Sequence, residues 1–343
     1  MAIKKTFPGA SALKKMLATP RKIVVVTHWS PDGDAMGSSL GLMNYLKLCG
    51  HDVKVIVPNA YPDFLKWMKG DKQVIQADAN IPKAKNAIAK AELIFCLDFN
   101  DLNRINEVGK LITATSIPKV LIDHHPNPSD FATYVLHRVE SSSTAELVYD
   151  FIEIMGGAKL INKDIANCLY VGIMTDTGSF RFPSTSARTH HVVAALMNAG
   201  AENAINHQRI YDTNSEARMR LLGFALSEKM VVKQEMHTAY FTLNNKEHDR
   251  FEYKRGDTEG LVNYGLGMSG IIFSAFFAER DGVVKCSFRS KGKFDVNKFA
   301  RAHFNGGGHR NAAGGVSKVS LKDTVAHFES LLALYSAELK KSV

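Results

Sequence analysis

Disulfide chemistry is the first thing this sequence has little room for. Its four cysteines, Cys49, Cys96, Cys168 and Cys286, are scattered, and no two form a Cys-x-x-Cys pair. Cys96 lies inside an apolar run, where a buried free thiol is the ordinary state. That spacing excludes a disulfide framework and a cysteine zinc site, and points to a reduced compartment, the cytoplasm. Long apolar runs are also missing. None approaches the ~18–20 residues that span a bilayer, so no membrane partner is expected. The basic N-terminus (Lys4, Lys5, Lys14, Lys15, Arg21, Lys22) lacks the apolar core of a signal peptide. There is no arginine-rich tract, aromatic-basic repeat, fixed-period repeat or low-complexity segment. An extended groove for long nucleic acid is therefore not indicated, although a net charge of +9 suits phosphate-bearing partners.

What is present is an alternation of strands and helices. At 343 residues, 45% of them apolar, two domains with real cores are expected. Ile23–Val26, Val53–Val57, Leu93–Leu97 and Val120–Ile122 read as buried strands, with helical stretches between them. The helix from Met36 to Cys49 closes on Gly50, and Phe64 to Met68 reads as a short apolar helix. Ser141 to Ser143, with Glu146 three residues on, mark another helix start, and Asp164 to Met174 a further helix. This is the pattern of an α/β protein with a doubly wound, mainly parallel sheet. Residues 187–232 read as successive helices joining two domains, 1–186 and 233–343. The second is a smaller α/β domain with strands Thr238–Leu243, Ile271–Ala278 and Val283–Phe288, and helices Val296–Phe304 and Leu321–Lys340. The active site is expected in the cleft between the domains.

Chemistry gathers where strands end. Thr27-His28-Trp29-Ser30-Pro31-Asp32-Gly33-Asp34 follows the first strand, and Pro31 and Gly33 make it a loop. Such loops sit at the carboxyl end of a parallel sheet, where α/β folds bind ligands. The third strand runs into Asp98 and the fourth into Asp123-His124-His125, while a later helix delivers Asp176. Imidazoles and carboxylates suit Mn²⁺, Mg²⁺ or Zn²⁺. The expected ligand sets are His28, Asp32 and Asp98 for one ion, and Asp34, Asp98, His124 and Asp176 for the other, with Asp98 as the bridge. Four carboxylates balance two divalent ions, and ions roughly 3.5–4 Å apart would activate a bridging hydroxide. Asp123 is expected to orient a histidine through its other ring nitrogen.

Thr-His-x-x-Pro-Asp-Gly-Asp-Ala-x-Gly-Ser, then Leu-Asp, Asp-His-His and Thr-Asp-Thr-Gly, occur in that order, followed by Gly306-Gly307-Gly308-His309. This series resembles the DHH phosphoesterases, and the glycine segment resembles the substrate loop of the DHHA1 domain. The resemblance runs from about residue 20 to about residue 335. It implies two metals, usually manganese, the ligand sets given above, and His125 beside the nucleophile and phosphate; His125 and Asp123 are the expected catalytic residues. Length and domain order are closest to the stand-alone nanoRNase and pAp phosphatases. RecJ-type exonucleases carry additional nucleic-acid-binding parts, and cyclic-di-AMP phosphodiesterases usually add membrane and sensory domains.

On the substrate side, Gly306 to Gly308 are expected to expose backbone N–H groups to an anion, with His309 and Arg289 beside them. Arg104 and Arg181 are first-domain candidates. The expected substrates are short RNA oligomers, cleaved from an end, and 3′-phosphoadenosine 5′-phosphate (pAp). The alternatives are a linear dinucleotide (pApA) in cyclic-dinucleotide turnover, polyphosphate, or a nucleotide sensor with a dead site. No oligomeric state follows from the sequence, which leaves room for a homodimer.

Overall fold

The chain divides after Thr213 into two compact units. A computed structural model describes residues 7–341, so Lys4 and Lys5 lie outside the described residues. The first unit begins with α1 (Ala10–Met16), β1 (Lys22–Thr27), α2 (Gly33–Leu48), β2 (Asp52–Val57), β3 (Ile75–Gln76) and α3 (Ile81–Ala89). It continues through β4 (Leu93–Leu97), α4 (Asn106–Thr113), β5 (Lys119–Asp123) and β6 (Tyr134–His137). Four helices complete it: α5 (Thr144–Ile154), α6 (Lys163–Asp176), α7 (Ala187–Asn198) and α8 (Asn203–Tyr211).

The strands form one parallel sheet in the order β3-β2-β1-β4-β5-β6. Its central strands are buried on both faces, which is why they read as continuous β-branched and apolar runs. Alternate residues go to opposite cores. Ile23, Val25, Phe95 and Ile122 pack toward α2, α5 and α6, while Val24, Val26, Cys96 and Leu121 pack toward α3 and α4. The strand order reverses direction between β1 and β4, so a crevice opens at their carboxyl ends.

Sequence periodicity misses β3 and β6, both at or near an edge of this sheet and too short for a period to register. The expected helix at Phe64–Met68 is only a 3₁₀ turn, Asp63–Leu65, but its packing role holds, since Leu65 and Met68 are in the core. Gly70, at φ 99°, turns the chain away before a second helical turn can form.

The second unit contains α9 (Glu216–Glu228), β7 (Met230–Lys233), β8 (Thr238–Leu243), α10 (Asn245–Arg250), α11 (Leu261–Leu266), β9 (Phe273–Arg280) and β10 (Val283–Ser290). It ends with α12 (Val296–His303), β11 (Gly307–His309), β12 (Ala312–Ser317) and α13 (Leu321–Lys340). Its sheet, ordered β11-β12-β10-β9-β8-β7, is antiparallel except for the β8–β9 pair. One face carries Phe273, Phe277 and Phe288 against Phe299 and Phe304 of the α12 region and Phe328 of α13. The other carries Phe241, Leu243, Phe276 and Ala278 against α9 and α11. The helical stretch after residue 186 divides between the units: α7 and α8 pack against α6, and α9 packs against β7 and β8. No helix among the described residues is long and apolar enough to cross a membrane.

Candidate metal centre

Register alone brings the first donors together. Thr27 pairs with Leu97, and Leu97 with Ile122, so the next residues along the three central strands are His28, Asp98 and Asp123. Asp123 in turn pairs with His137 of β6. Asp98 occupies the middle of this row and is buried, with a left-handed backbone (φ 64°) that is uncommon for a residue other than glycine. Such a strained residue persists only where its surroundings over-determine it, and here they do. Its carboxylate lies 3.4 Å from His28 Nε2, 3.6 Å from His124 Nε2 and 3.7 Å from His125 Nδ1, and it accepts a 3.0 Å hydrogen bond from the Thr144 hydroxyl.

His124 and His125 follow β5 directly, whereas Asp32, Asp34 and Asp176 arrive on helices. Asp32 caps α2, its Oδ1 accepting the N–H groups of Asp34 and Ala35 at 3.0 Å each. Asp34 lies in the first turn of α2, and Asp176 at the last residue of α6. These two helices approach closely because glycine lines their contact. A Cβ on Gly33 would sit 2.2 Å from Thr175 Oγ1, one on Gly37 2.5 Å from the Cys168 carbonyl, and one on Gly172 2.9 Å from Asp34 Oδ1. The spacing Gly33, Gly37, Gly41 is a one-face helical repeat that the sequence reading passed over. Asp34 also docks on the N-terminus of α5, where its two oxygens accept the N–H groups of Thr144 (2.6 Å) and Ala145 (2.8 Å). A helix N-terminus is a natural seat for an anion. The Ser143–Glu146 cap signal located that terminus without revealing its partner.

Within the first unit, three sets of donor atoms converge within 4.8 Å of one another: His28, Asp32 and Asp98; Asp34, His124 and Asp176; and Asp98, Asp123 and His125. His28 Nδ1 pairs with the Trp29 carbonyl at 2.9 Å and His124 Nδ1 with the Ser141 carbonyl at 3.2 Å. With Nδ1–H so donated, Nε2 is the nitrogen that each ring turns toward the carboxylates. His124 Nε2 lies 3.9 Å from Asp34 and 3.5 Å from Asp176. These separations exceed hydrogen bonds, as they should for atoms arranged around a cation. His125 differs: its Nδ1 pairs with Asp123 Oδ1 at 2.8 Å. The histidine oriented by Asp123 is therefore His125, not His124. The loop carrying it is fixed by His137, paired with the His125 carbonyl at 2.6 Å, and by Asn100, which donates to the Pro126 carbonyl at 2.6 Å.

The electrostatics show what the cluster requires. Burial, then the charges of Asp98, Asp176 and Asp32, push the Asp34 carboxyl well above the usual carboxylate range. Burial alone would lower His28, but hydrogen bonds with Asp32 and Asp98 outweigh it and push the imidazole up to about 10. Burial would raise Asp98, but the His28 contact and the charges of His125, His28 and His124 hold it far below its ordinary value. Carboxylates this close want positive charge among them, and protons on the imidazoles take that role where cations do not. Oxygen and imidazole donors in these numbers fit one or two divalent ions.

The substrate-side residues fall into three groups. Arg104 lies on the 3₁₀ turn Leu102–Ile105, whose end accepts the Trp29 N–H at 2.9 Å, and its charge acts on His125. Arg181 is exposed, its guanidinium 5.7 Å from the Phe182 ring centre. In the second unit, Arg289 pairs with Ala312 and Ala312 with His309, so both side chains share one sheet face with only an alanine between. The glycines are not the exposed loop expected. Gly307 and Gly308 belong to strand β11. The Gly306 N–H donates to the Ala300 carbonyl (3.2 Å) and the Gly308 N–H to Asn297 Oδ1 (3.1 Å), so two of the three amides are already engaged. A Cβ on Gly306 would lie 2.0 Å from the Gly314 carbonyl, and one on Gly308 2.5 Å from that of Ala312. These two glycines serve close backbone packing, not an open nest.

Two family models match the chain: the N-terminal domain of the DHH family over residues 22–173, and the DHHA1 domain over residues 234–341. The chain is 31% identical over 298 residues to the bifunctional oligoribonuclease and PAP phosphatase NrnA of Thermus thermophilus, covering 86% of this chain and 84% of that one. It is 25% identical to the cyclic-di-AMP phosphodiesterase PdeA of Listeria monocytogenes, covering 95% of its own length and 49% of that protein. A crystal structure of an exopolyphosphatase-related protein from Bacteroides fragilis matches with a TM-score of 0.94 and 40% identity, over 98% of this chain and 100% of that one.

Proposed function

The chain belongs to the DHH family of phosphoesterases and carries its DHHA1 domain, and from that premise we propose that this hydrolase removes terminal residues from short oligoribonucleotides and dephosphorylates pAp. The observation that carries the reading is the gathering of the six expected ligand residues into two donor sets, His28, Asp32 and Asp98, and Asp34, His124 and Asp176, with Asp98 also 3.6 Å from His124, in a chain akin to an oligoribonuclease and PAP phosphatase. His28, Asp32 and Asp98 would hold one divalent ion, and Asp34, Asp98, His124 and Asp176 a second, with manganese the first candidate. When bound, such ions supply Lewis-acid activation of water and neutralise phosphate charge.

The chain's own residues do the rest. Asp123 holds the His125 ring through Nδ1, which makes Nε2 the nitrogen that exchanges a proton beside the scissile phosphate. Thr144 and the α5 N-terminus keep Asp98 and Asp34 in place, so the donor set is fixed before substrate arrives. His309 and Arg289, on one face of the second sheet, hold a phosphate or base remote from the reacting bond. Arg104 and Arg181 are candidates for further phosphate contacts. The first unit is the catalytic domain and the second the substrate-binding domain, the chain passing from one to the other within the helical stretch 187–232. The protein acts in the cytoplasm on small nucleotides.

A second reading is exopolyphosphatase activity, favoured by the 40% identity to the Bacteroides fragilis protein. One assay separates the two. Labelled RNA from dinucleotides to long strands, pAp, pApA and polyphosphate are incubated with the enzyme and Mn²⁺. Fast hydrolysis of dinucleotides and pAp is expected, with rates falling as RNA lengthens. Turnover of polyphosphate alone would replace the first reading with the second.

A further inference from the structure

The second unit holds a cavity of about 140 Å³ on the face of its sheet that α11 partly covers. Its floor is apolar, formed by Val262, Phe276 and Ala278, and Arg280, Lys285 and Ser287 stand around it. Lys285, Ser287 and Arg289 alternate along β10 and so project to one face. That face is open toward β12, because Ser287 and Arg289 pair with Gly314 and Ala312, whose side chains are absent or small.

Arg280 is the unusual member. Its guanidinium stacks 4.5 Å from the centre of the Tyr253 ring, and one terminal nitrogen donates to the Thr258 hydroxyl. Its Nε is buried and meets no acceptor. Neither Arg280 nor Lys285 has a carboxylate within ion-pair distance among the described residues, and the Ser287 hydroxyl has no hydrogen-bond partner there. Glu259, in the opposite wall, is one carboxylate against the three cations Arg280, Lys285 and Arg289. A half-buried guanidinium with an unsatisfied N–H is costly unless an anion completes it. A planar fork, an ammonium and a hydroxyl around one small space are the donors that recognise a phosphate.

We propose that this cavity is a second phosphate subsite, which takes a phosphate group of the nucleotide chain. It adjoins the Arg289–His309 position, because Arg289 lines the cavity as well. Lys285 lies four residues from Arg289, about 13 Å along an extended strand, so the two ends engage different phosphates. The assignment to a nucleotide rests on the proposed function; the phosphate chemistry rests on the cavity alone.

The test uses the full chain with a chelator present, so that nothing is hydrolysed. Inorganic phosphate and a 5′-phosphorylated trinucleotide are titrated by calorimetry into the wild type, Lys285→Glu, Ser287→Ala and a control, Lys322→Glu. Lys322 is exposed on α13, which packs on the opposite face of the sheet. Lys285→Glu should weaken both ligands about tenfold, the value of one charged phosphate contact. Ser287→Ala should weaken them less, and Lys322→Glu least. Weaker phosphate binding with unchanged trinucleotide binding overturns the assignment to the nucleotide chain and leaves a site for free phosphate. Unchanged affinity for both ligands in Lys285→Glu, with an unaltered melting temperature, overturns the proposal, as does an equal loss in Lys322→Glu. Failure of the enzyme to hydrolyse any nucleotide would sink the proposed function while leaving the phosphate titration to read the subsite.

Discussion

The two sheets treat charge in opposite ways. The parallel sheet of the first unit gathers its ionisable groups into one buried row past the ends of β1, β4 and β5, where carboxylates outnumber every other group. The mixed sheet of the second unit sets cations along one partly open face, beginning at Arg289 and running to Lys285 and Arg280, and keeps its other face for phenylalanine. One arrangement needs cations and the other needs anions. A phosphate ester with its metals satisfies both needs, so the comparison predicts which substitutions damage chemistry and which damage recognition.

The largest effect should come from Asp98→Ala. Two donor sets share this carboxylate, and three imidazoles face it. Turnover of every substrate, a chromogenic phosphodiester included, should vanish, and metal content by atomic emission should fall at both sites. Near-normal turnover would remove Asp98 from the centre and break the contrast between the sheets.

His309→Ala should act on recognition. Losing a remote contact misplaces the scissile bond, at a cost of about 10²-fold in kcat/KM for dinucleotides and pAp. The loss on a small chromogenic diester should be far smaller, since it has no remote part to hold. Equal losses on both substrate types would assign His309 to the chemistry or to folding.

Asp123→Asn tests a supporting role within the first row. Asp123 touches His125 Nδ1 at 2.8 Å and is fully buried. Replacing an orienting carboxylate of this kind costs roughly 10–100-fold in rate or metal affinity without total loss. Complete loss of one metal, with the fold intact by circular dichroism, would make Asp123 a ligand.

Gly37→Val moves the comparison from chemistry to packing. The first unit joins α2 to α6 backbone to backbone, whereas the second fills its core with aromatic rings. A Cβ at residue 37 would lie 2.5 Å from the Cys168 carbonyl and 2.8 Å from the Gly172 nitrogen, and backbone does not swing aside. Helix propensity would favour the larger residue by less than about 1 kcal/mol. The clash, worth about 1–3 kcal/mol of overpacking, should win. A lower melting temperature and weaker metal binding, through a displaced Asp34, are expected. An unchanged melting temperature would mean that the helices can separate freely.

The same contrast explains what could be read from sequence. The row His28, Asp98, Asp123 was legible because buried parallel strands announce themselves as apolar runs and end where the polar motif begins. The placement of Asp34 and Asp176 was legible only as candidacy, because the glycine contact between α2 and α6 is tertiary and leaves no hydrophobic period. Thr144 was missed because a threonine after a cap looks like part of the cap. In the second unit, β7 escaped because Met230–Lys233 is only four residues long and directly continues a helical stretch, and β11 and β12 because short strands rich in glycine and alanine carry no alternation. The Gly306–Gly308 segment was read as a loop for the same reason, and its role in backbone packing appears only once β12 lies beside it.

The smallest expected effect concerns two buried imidazoles, one in each unit. His51 accepts the Arg21 N–H through Nδ1 at 3.1 Å, and burial, then the Arg21 charge, hold its pKa below the ordinary 6.5. His248 is held low in the same way, by burial and then by Arg280. Both are therefore neutral in the fold at a pH where the unfolded chain begins to take up protons. Proton uptake by the unfolded state lowers stability as pH falls from about 6.5 toward the depressed folded value. Glutamine at either position has no proton to gain, so the loss disappears in the variant. The destabilisation caused by His51→Gln or His248→Gln should be greatest near pH 8 and should shrink at pH 5. Melting curves of each variant and the wild type, taken in pairs across that range at fixed metal concentration, give the difference directly, and the raised His28 cancels because it is common to both. A penalty that stays constant with pH would mean that the folded and unfolded chains bind a proton equally well at that imidazole, so that the fold does not hold it low. If only one of the two substitutions shows the trend, the acid sensitivity belongs to one sheet, and the symmetry drawn between the units at this point fails.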